Sequence, residues 1–171
     1  MQSRSRMISI CAVLTAAGLI LGYIESFLVI PVRIPGIRIG IANISTLVCL
    51  YLCGPGYAAA VLTGRILLSA MLFGSPVSLM YSLTGGVFAM IAMTLFRRFG
   101  FSIYGVSVAG AAFHNTGQIF AAFFLMDNHY VFYYLPALTL AGVVTGLVTG
   151  AVSAVIVKRI GHNLPVSEER G

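Results

Sequence analysis

Apolar residues run in long blocks along this chain, with no sustained apolar–polar alternation, and short stretches rich in glycine, proline or charge separate the blocks. Blocks of this length predict helices that sit in lipid. The first covers about Met7 to Ile30, after Arg4 and Arg6. It has the basic start of a signal peptide, but no small-x-small site follows it. It is also longer than the usual apolar region of about 7–15 residues, so it reads as an uncleaved first helix. Pro31-Val-Arg-Ile-Pro-Gly-Ile-Arg-Ile-Gly40 then breaks the helix, because prolines remove donors and glycines favour turns.

A second span, about Ile41 to Cys53, is short for a hydrocarbon core of about 30 Å. After the Cys53-Gly-Pro-Gly56 turn, a third span from Tyr57 to Phe73 is interrupted by Arg65. Gly74-Ser-Pro76 leads into a fourth, Val77 to Phe96, closed by Arg97 and Arg98. The fifth, Phe101 to Met126, carries His114-Asn-Thr-Gly-Gln118 in its middle. Asp127-Asn-His-Tyr130 precedes the last, Val131 to Val157, which ends at Lys158 and Arg159. The expectation is an all-α integral membrane protein built as a six-transmembrane-helix bundle. Residues 1–6 form a cytoplasmic N-terminus, 7–159 the transmembrane domain and 160–171 a polar cytoplasmic tail.

Composition agrees with this pattern. Of 171 residues only 8% are charged and 59% are hydrophobic, against about 25% charged in a soluble domain, so a soluble globular fold is excluded. The net charge of +6 would suggest nucleic acid in a soluble protein. Here the basic residues cluster as Arg4/Arg6, Arg97/Arg98 and Lys158/Arg159 at the ends of apolar blocks, which is a topology signal, and no nucleic-acid partner is expected. Six spans put all three clusters on one face with both termini, and the positive-inside rule makes that face cytoplasmic. Arg33 and Arg38 fall opposite. Cys11, Cys49 and Cys53 fall toward the cytoplasmic half, are expected to be reduced, and are read as small apolar residues with no metal site.

Charged side chains inside a bilayer are costly, by roughly 2.5–3.5 kcal/mol on insertion scales, so each needs a partner, water or a task. In the six-span frame Glu25 lies near the outer end of the first helix and Arg65 near the middle of the third. Asn43 opens the second helix, Tyr81 and Thr84 lie in the outer half of the fourth, and Tyr133 and Tyr134 open the sixth. His114, Asn115 and Gln118 run outward along the fifth, at spacings that share a helix face. One reading is an outward-facing pocket roofed by residues 31–40, in which Arg65, Arg38 and Arg33 supply charge. Asn43, His114, Asn115 and Gln118 would then supply hydrogen bonds, and Tyr81 and Tyr133 an aromatic wall. The other is structural: Arg65 pairs with Glu25, the polar residues of the fifth helix bond neighbouring helices, and Arg33 and Arg38 touch lipid phosphates.

Small residues recur four apart as Ala12 and Ala16, as Gly18 and Gly22, and as Gly142, Gly146, Gly150 and Ala154. Such faces let helix backbones approach closely. Internal packing is the expectation for the last set, whereas docking to a partner membrane protein and internal packing are both open for Ala12 and Ala16. The chain has no P-loop motif, and with four acids in total and no aspartate cluster it has no carboxylate set for a magnesium diphosphate. No catalytic residue, cofactor or metal is assigned.

Tyr23-Ile-Glu-Ser26, Ile34-Pro-Gly-Ile-Arg-Ile-Gly-Ile-Ala-Asn-Ile44, Tyr81-Ser-Leu-Thr-Gly-Gly86, Phe113-His-Asn-Thr-Gly-Gln118, Phe132-Tyr-Tyr-Leu-Pro136 and Gly142-Val-Val-Thr-Gly146 follow one another in order. Together they resemble a bacterial membrane family that carries two labels, heptaprenyl diphosphate synthase component I and Gx transporter. The architecture is also similar to the S components of energy-coupling factor transporters, six-helix proteins that capture vitamins or their precursors. That resemblance implies a bacterial cytoplasmic membrane protein that binds a small polar or anionic solute from outside. It also implies an Ala12/Ala16 contact with a transmembrane coupling subunit and its ATPases, and a loop over the ligand at Arg33 to Arg38. The alternative implied by the other label is a non-catalytic component associated with a prenyl diphosphate synthase subunit, since the aspartate-rich motifs of such enzymes are absent.

Overall fold

The computed structural model of the chain describes residues 4–27 and 40–161. Among them are six α-helices: α1 (Arg4–Ser26), α2 (Asn43–Cys53), α3 (Pro55–Phe73), α4 (Pro76–Arg98), α5 (Ile103–Met126) and α6 (Leu135–Gly161). A 3-10 segment, His129–Tyr134, leads into α6. The helix starts follow local chemistry. Ser75 and Ser102 accept from the backbone N–H groups of Ser78 and Gly105, at 3.1 and 3.3 Å, and so occupy donors that the first turns of α4 and α5 leave open. Pro55 and Pro76 sit at the first helical position, where no N–H is needed. Gly54 joins α2 to α3 at φ +91°, a conformation that side chains resist. Arg97/Arg98 and Lys158/Arg159 occupy the last turns of α4 and α6, where positive charge complements the helix dipole.

α5 is the central helix, with its most extensive packing against α4 on one side and α6 on the other. Both contacts depend on missing side chains. A Cβ on Gly117 of α5 would lie 2.7 Å from the Thr84 carbonyl oxygen of α4, and one on Gly146 of α6 would lie 2.7 Å from Val108 Cα of α5. Gly142 and Gly150 extend the second contact along Ala111 and Ser107. The small-residue stripe of α6 is therefore used inside the bundle. α1 is peripheral: it packs on α2 and α3, and 11% of its apolar window is buried, against 33% for α3 and α4. Ala12 and Ala16 lie on its exposed face with Ile8, Val13 and Ile20.

Polarity is inverted relative to a soluble protein. Large apolar residues such as Met71 and Leu72 on α3, Ile91 on α4, and Leu140 and Val144 on α6 cover the outside. Glu25, Asn43, Arg65, His114, Asn115 and Gln118 are buried inside. With α1, α3, α4 and the 3-10/α6 unit each long and apolar enough to cross a bilayer, the protein is an all-helical, multi-pass membrane protein. α5 is equally long, but its polar run at 114–118 lowers its hydropathy. α2 has 11 residues, about 16 Å of helix, which is half the thickness of the hydrocarbon core. The polar residues fall between two apolar clusters, one built around Tyr81, Ile119 and Leu138 and the other around Leu47, Val61, Ala89 and Val106.

Candidate functional site

The polar layer is assembled from five helices. α2 begins after Ala42, whose side chain cannot cap it. The acceptor comes instead from α1: the Glu25 carboxylate takes the backbone N–H of Gly40 on one oxygen and, at 3.5 Å, that of Ala42 on the other. Glu25 is only 3% exposed, and its charge also complements the N-terminal end of α2. Arg65 of α3 reaches the next residue of the α2 start. Arg65 Nη2 donates to Asn43 Oδ1 at 3.1 Å, and the arginine stem runs beneath Gly18 of α1, where a Cβ would come within 2.6 Å of Arg65 Cδ. The acid and the base therefore act on neighbouring parts of the α2 start.

Gly40 links this half of the layer to the other. At φ +93° it turns toward α2, and the position its Cβ would occupy is 3.1 Å from Asn43 Nδ2 and 3.5 Å from His114 Cδ2. His114 in turn reaches Gln118, with His114 Nε2 and Gln118 Nε2 3.1 Å apart. The amide nitrogen donates, so the ring nitrogen accepts, and a neutral His114 carries its proton on Nδ1. Both side chains fit because α4 has glycine at 85, where a Cβ would lie 2.9 Å from His114 Cε1. Asn43 Nδ2, a buried donor, has no hydrogen-bond partner among the described residues.

Not every expected residue joins it. Asn115 turns toward α6, where its amide donates to the Leu138 carbonyl. Tyr81 is buried in the apolar cluster with Ile119 and Leu138, and Thr84 bonds back to the carbonyls of Met80 and Tyr81 in its own helix. Tyr133 is 80% exposed on the 3-10 segment, stacked 6.1 Å from Tyr130, and Tyr134 is also exposed. Arg33, Arg38 and all of the expected lid at 31–40 except Gly40 lie outside the described residues. Gly18, singled out only for its small-residue spacing, and Gly40 and Gly85, given no role from the sequence, make room for Arg65, Asn43 and His114. The Gly85-Gly86 pair was a usable signal for the last of these.

Between the polar layer and the second apolar cluster, Ser107 of α5 and Thr149 of α6 share a hydrogen bond of 2.8 Å. They line a cavity of about 10 Å³ with Asn43, Leu47 and Met93, room for about one water.

Residues 14–156 match the family described as heptaprenyl diphosphate synthase component I. The chain belongs to this family. The matched range spans every residue of the polar layer, from Glu25 to Gln118, whereas Cys11 and Ala12 precede it. No curated protein and no solved structure matches the chain.

For this family member the cap on α2 is directly testable. Glu25→Ala leaves two buried backbone donors without their acceptors and is expected to cost about 3 kcal/mol. Glu25→Gln keeps one acceptor and should cost about 1 kcal/mol. Thermal unfolding in detergent micelles reads the difference; equal stability of wild type and Glu25→Ala would remove the capping role.

Proposed function

We propose that this chain is a non-catalytic membrane component of a prenyl diphosphate-forming system, in which its polar layer holds the anionic group of a prenyl diphosphate that a separate subunit makes. Arg65 carries the reading. It is a buried arginine, 7% exposed, held by Asn43 beside a buried amide donor, in a family described by a diphosphate product. Guanidinium and amide N–H groups are the donors that phosphate oxygens need. The chain has four acids, one of them committed to the cap on α2, so the metal-binding carboxylates of the synthesis step belong to a partner subunit. In this reading the protein crosses the bacterial cytoplasmic membrane six times with both termini inside. α2 is completed by the preceding loop, and the layer opens outward.

A second reading is a substrate-binding subunit of an energy-coupling factor transporter, taking a small polar or anionic solute to a coupling subunit and its ATPases. The exposed Ala12/Ala16 face favours it, together with the adjoining apolar groove of about 480 Å³ lined by Leu19, Ile20, Tyr23, Leu72 and Phe73. This face is exposed among the described residues and suits close approach of another membrane helix.

Gentle purification of the tagged chain from its own membranes separates the two. Recovery of a prenyl diphosphate synthase subunit is the expected result. Recovery of a membrane coupling subunit with two ATPases would overturn the first reading in favour of the second.

A further inference from the structure

A prenyl diphosphate has two unlike ends, and an apolar chain attached to an anion at Arg65 needs a way out of the bundle. Among the described residues most sides of the arginine are closed. α1 covers its stem at Gly18, where a Cβ would lie 2.6 Å from Arg65 Cδ. On the α4 side, Ile66 and Leu62 of α3 fill the space against Gly86, whose Cβ position is 2.9 Å from Ile66 Cδ1. Toward α5 and α6 the cavity beside Asn43 is about 10 Å³, room for a water but not for a chain.

The seam between α1 and α3 is different. A groove of about 480 Å³ runs along it, lined by Ala16, Leu19, Ile20 and Tyr23 of α1 and by Leu72 and Phe73 of α3. It adjoins the arginine: Leu19 follows Gly18 in the chain, and Leu72 lies on nearly the same face of α3 as Arg65, about 10 Å further along the helix. One turn beyond Gly18 and Arg65, the residues on the same faces are Gly22 and Ser69, both buried. Both are small, so neither puts a large side chain between the arginine and the groove. Tyr23 and Phe73 meet at the outer end, with ring centroids 5.2 Å apart. Ile20 and Leu72 are largely exposed, so the groove opens sideways to the bilayer, where a prenyl chain already resides. We propose that this groove holds the prenyl chain of a diphosphate whose anionic end lies at Arg65, a placement that rests on the prenyl diphosphate reading of the polar layer.

Lipid tails are as apolar as the groove, so removal from water does not drive the chain into it. Linkage and shape do. Once the anion is held, the chain is tethered beside the groove at high effective concentration. The volume is within the range of small-molecule sites, about 300–1,000 Å³. Ala16 and Leu72 line the groove from exposed positions outside the polar layer, so Ala16→Trp and Leu72→Trp fill it without touching Arg65 or Asn43.

The test titrates the full-length chain in detergent micelles with two probes, farnesyl diphosphate and inorganic diphosphate. Inorganic diphosphate should bind the wild type and both tryptophan variants alike, whereas farnesyl diphosphate should bind each variant several-fold more weakly than the wild type. Micelles concentrate the farnesyl probe equally for every variant, so the comparison isolates the groove. A farnesyl diphosphate analogue with a benzophenone at its chain end should, on irradiation, form adducts with α1 or α3 in the wild type and lose most of them in Ala16→Trp. Farnesyl affinity unchanged in both tryptophan variants, or adducts confined to α4, α5 or α6, would overturn the groove; if Arg65→Met still loses inorganic diphosphate, the polar-layer reading survives that result. Farnesyl binding lost in the tryptophan variants but kept in Arg65→Met would instead overturn the polar-layer reading and leave the chain site. Failure of both probes to bind the wild type would overturn both. Release of a co-purified coupling subunit by Ala16→Trp, with farnesyl affinity unchanged, would make the groove a helix-docking face and overturn the proposal.

Discussion

Gly117→Val is expected to cost about 3 kcal/mol or more, the upper range for overpacking a tight contact. A Cβ there already comes within 2.7 Å of the Thr84 carbonyl oxygen and 2.9 Å of Gly85 Cα, and backbone atoms cannot rotate away as a flexible side chain would. α4 must move from α5, and the displacement passes directly to Gly85, whose closeness to His114 sets one wall of the polar layer. Stability and ligand binding should therefore fall together. Gly56→Ala in α3 is the control, since nothing lies within 4 Å of its Cβ position; it should be neutral or stabilising by up to about 1 kcal/mol, the ordinary helix preference for alanine. Thermal unfolding in micelles checks both. A Gly117→Val protein as stable as wild type would mean that the α4–α5 contact is not closed at this point.

Arg65→Met should separate stability from function. The methionine side chain fills much of the space of the arginine stem beneath Gly18 and removes a buried charge, a change that is often neutral or stabilising when the charge serves no structural end. Asn43 loses one bonded partner, which offsets part of the gain at about 1 kcal/mol. If Arg65 holds an anionic group, the variant should unfold within a few degrees of wild type. Its affinity for a short-chain prenyl diphosphate, measured by calorimetry in micelles, should fall at least tenfold. A variant that loses several kcal/mol of stability while binding is unchanged would return Arg65 to a purely structural role. Arg65→Lys keeps the charge but not the planar fork and should recover only part of the affinity.

Much of the helix map was legible in the chain. Apolar blocks bounded by Gly54-Pro55, Gly74-Ser75-Pro76 and Gly100 give helices at those places because lipid leaves a helix no alternative way to satisfy its backbone, and because proline and positive-φ glycine stop it wherever they occur. The inverted polarity followed for the same reason, since few charges and many apolar residues leave only the interior for Glu25 and Arg65. The start of the last helix was less legible: Val131 to Tyr134 are apolar enough to belong to α6, but the chain runs there as a 3-10 segment, opened by Asn128 accepting from the Tyr130 N–H at 2.9 Å.

What each polar residue touches was decided elsewhere. Spacing put His114, Asn115 and Gln118 on one side of a helix, but a helix in the middle of a bundle has neighbours on both flanks. A step of one residue, about 100°, turns Asn115 to α6 while His114 and Gln118 face Gly40 and Gly85. Glu25 takes the two backbone donors at Gly40 and Ala42, which a dry interior would otherwise leave unmet at a cost of about 1–3 kcal/mol each, and only the fold brings those donors to it. The sequence by itself determined the medium and most of the helix boundaries, which depend on local composition. Tertiary structure alone decided the partners of the polar residues, because those depend on which glycine lets which two helices close together.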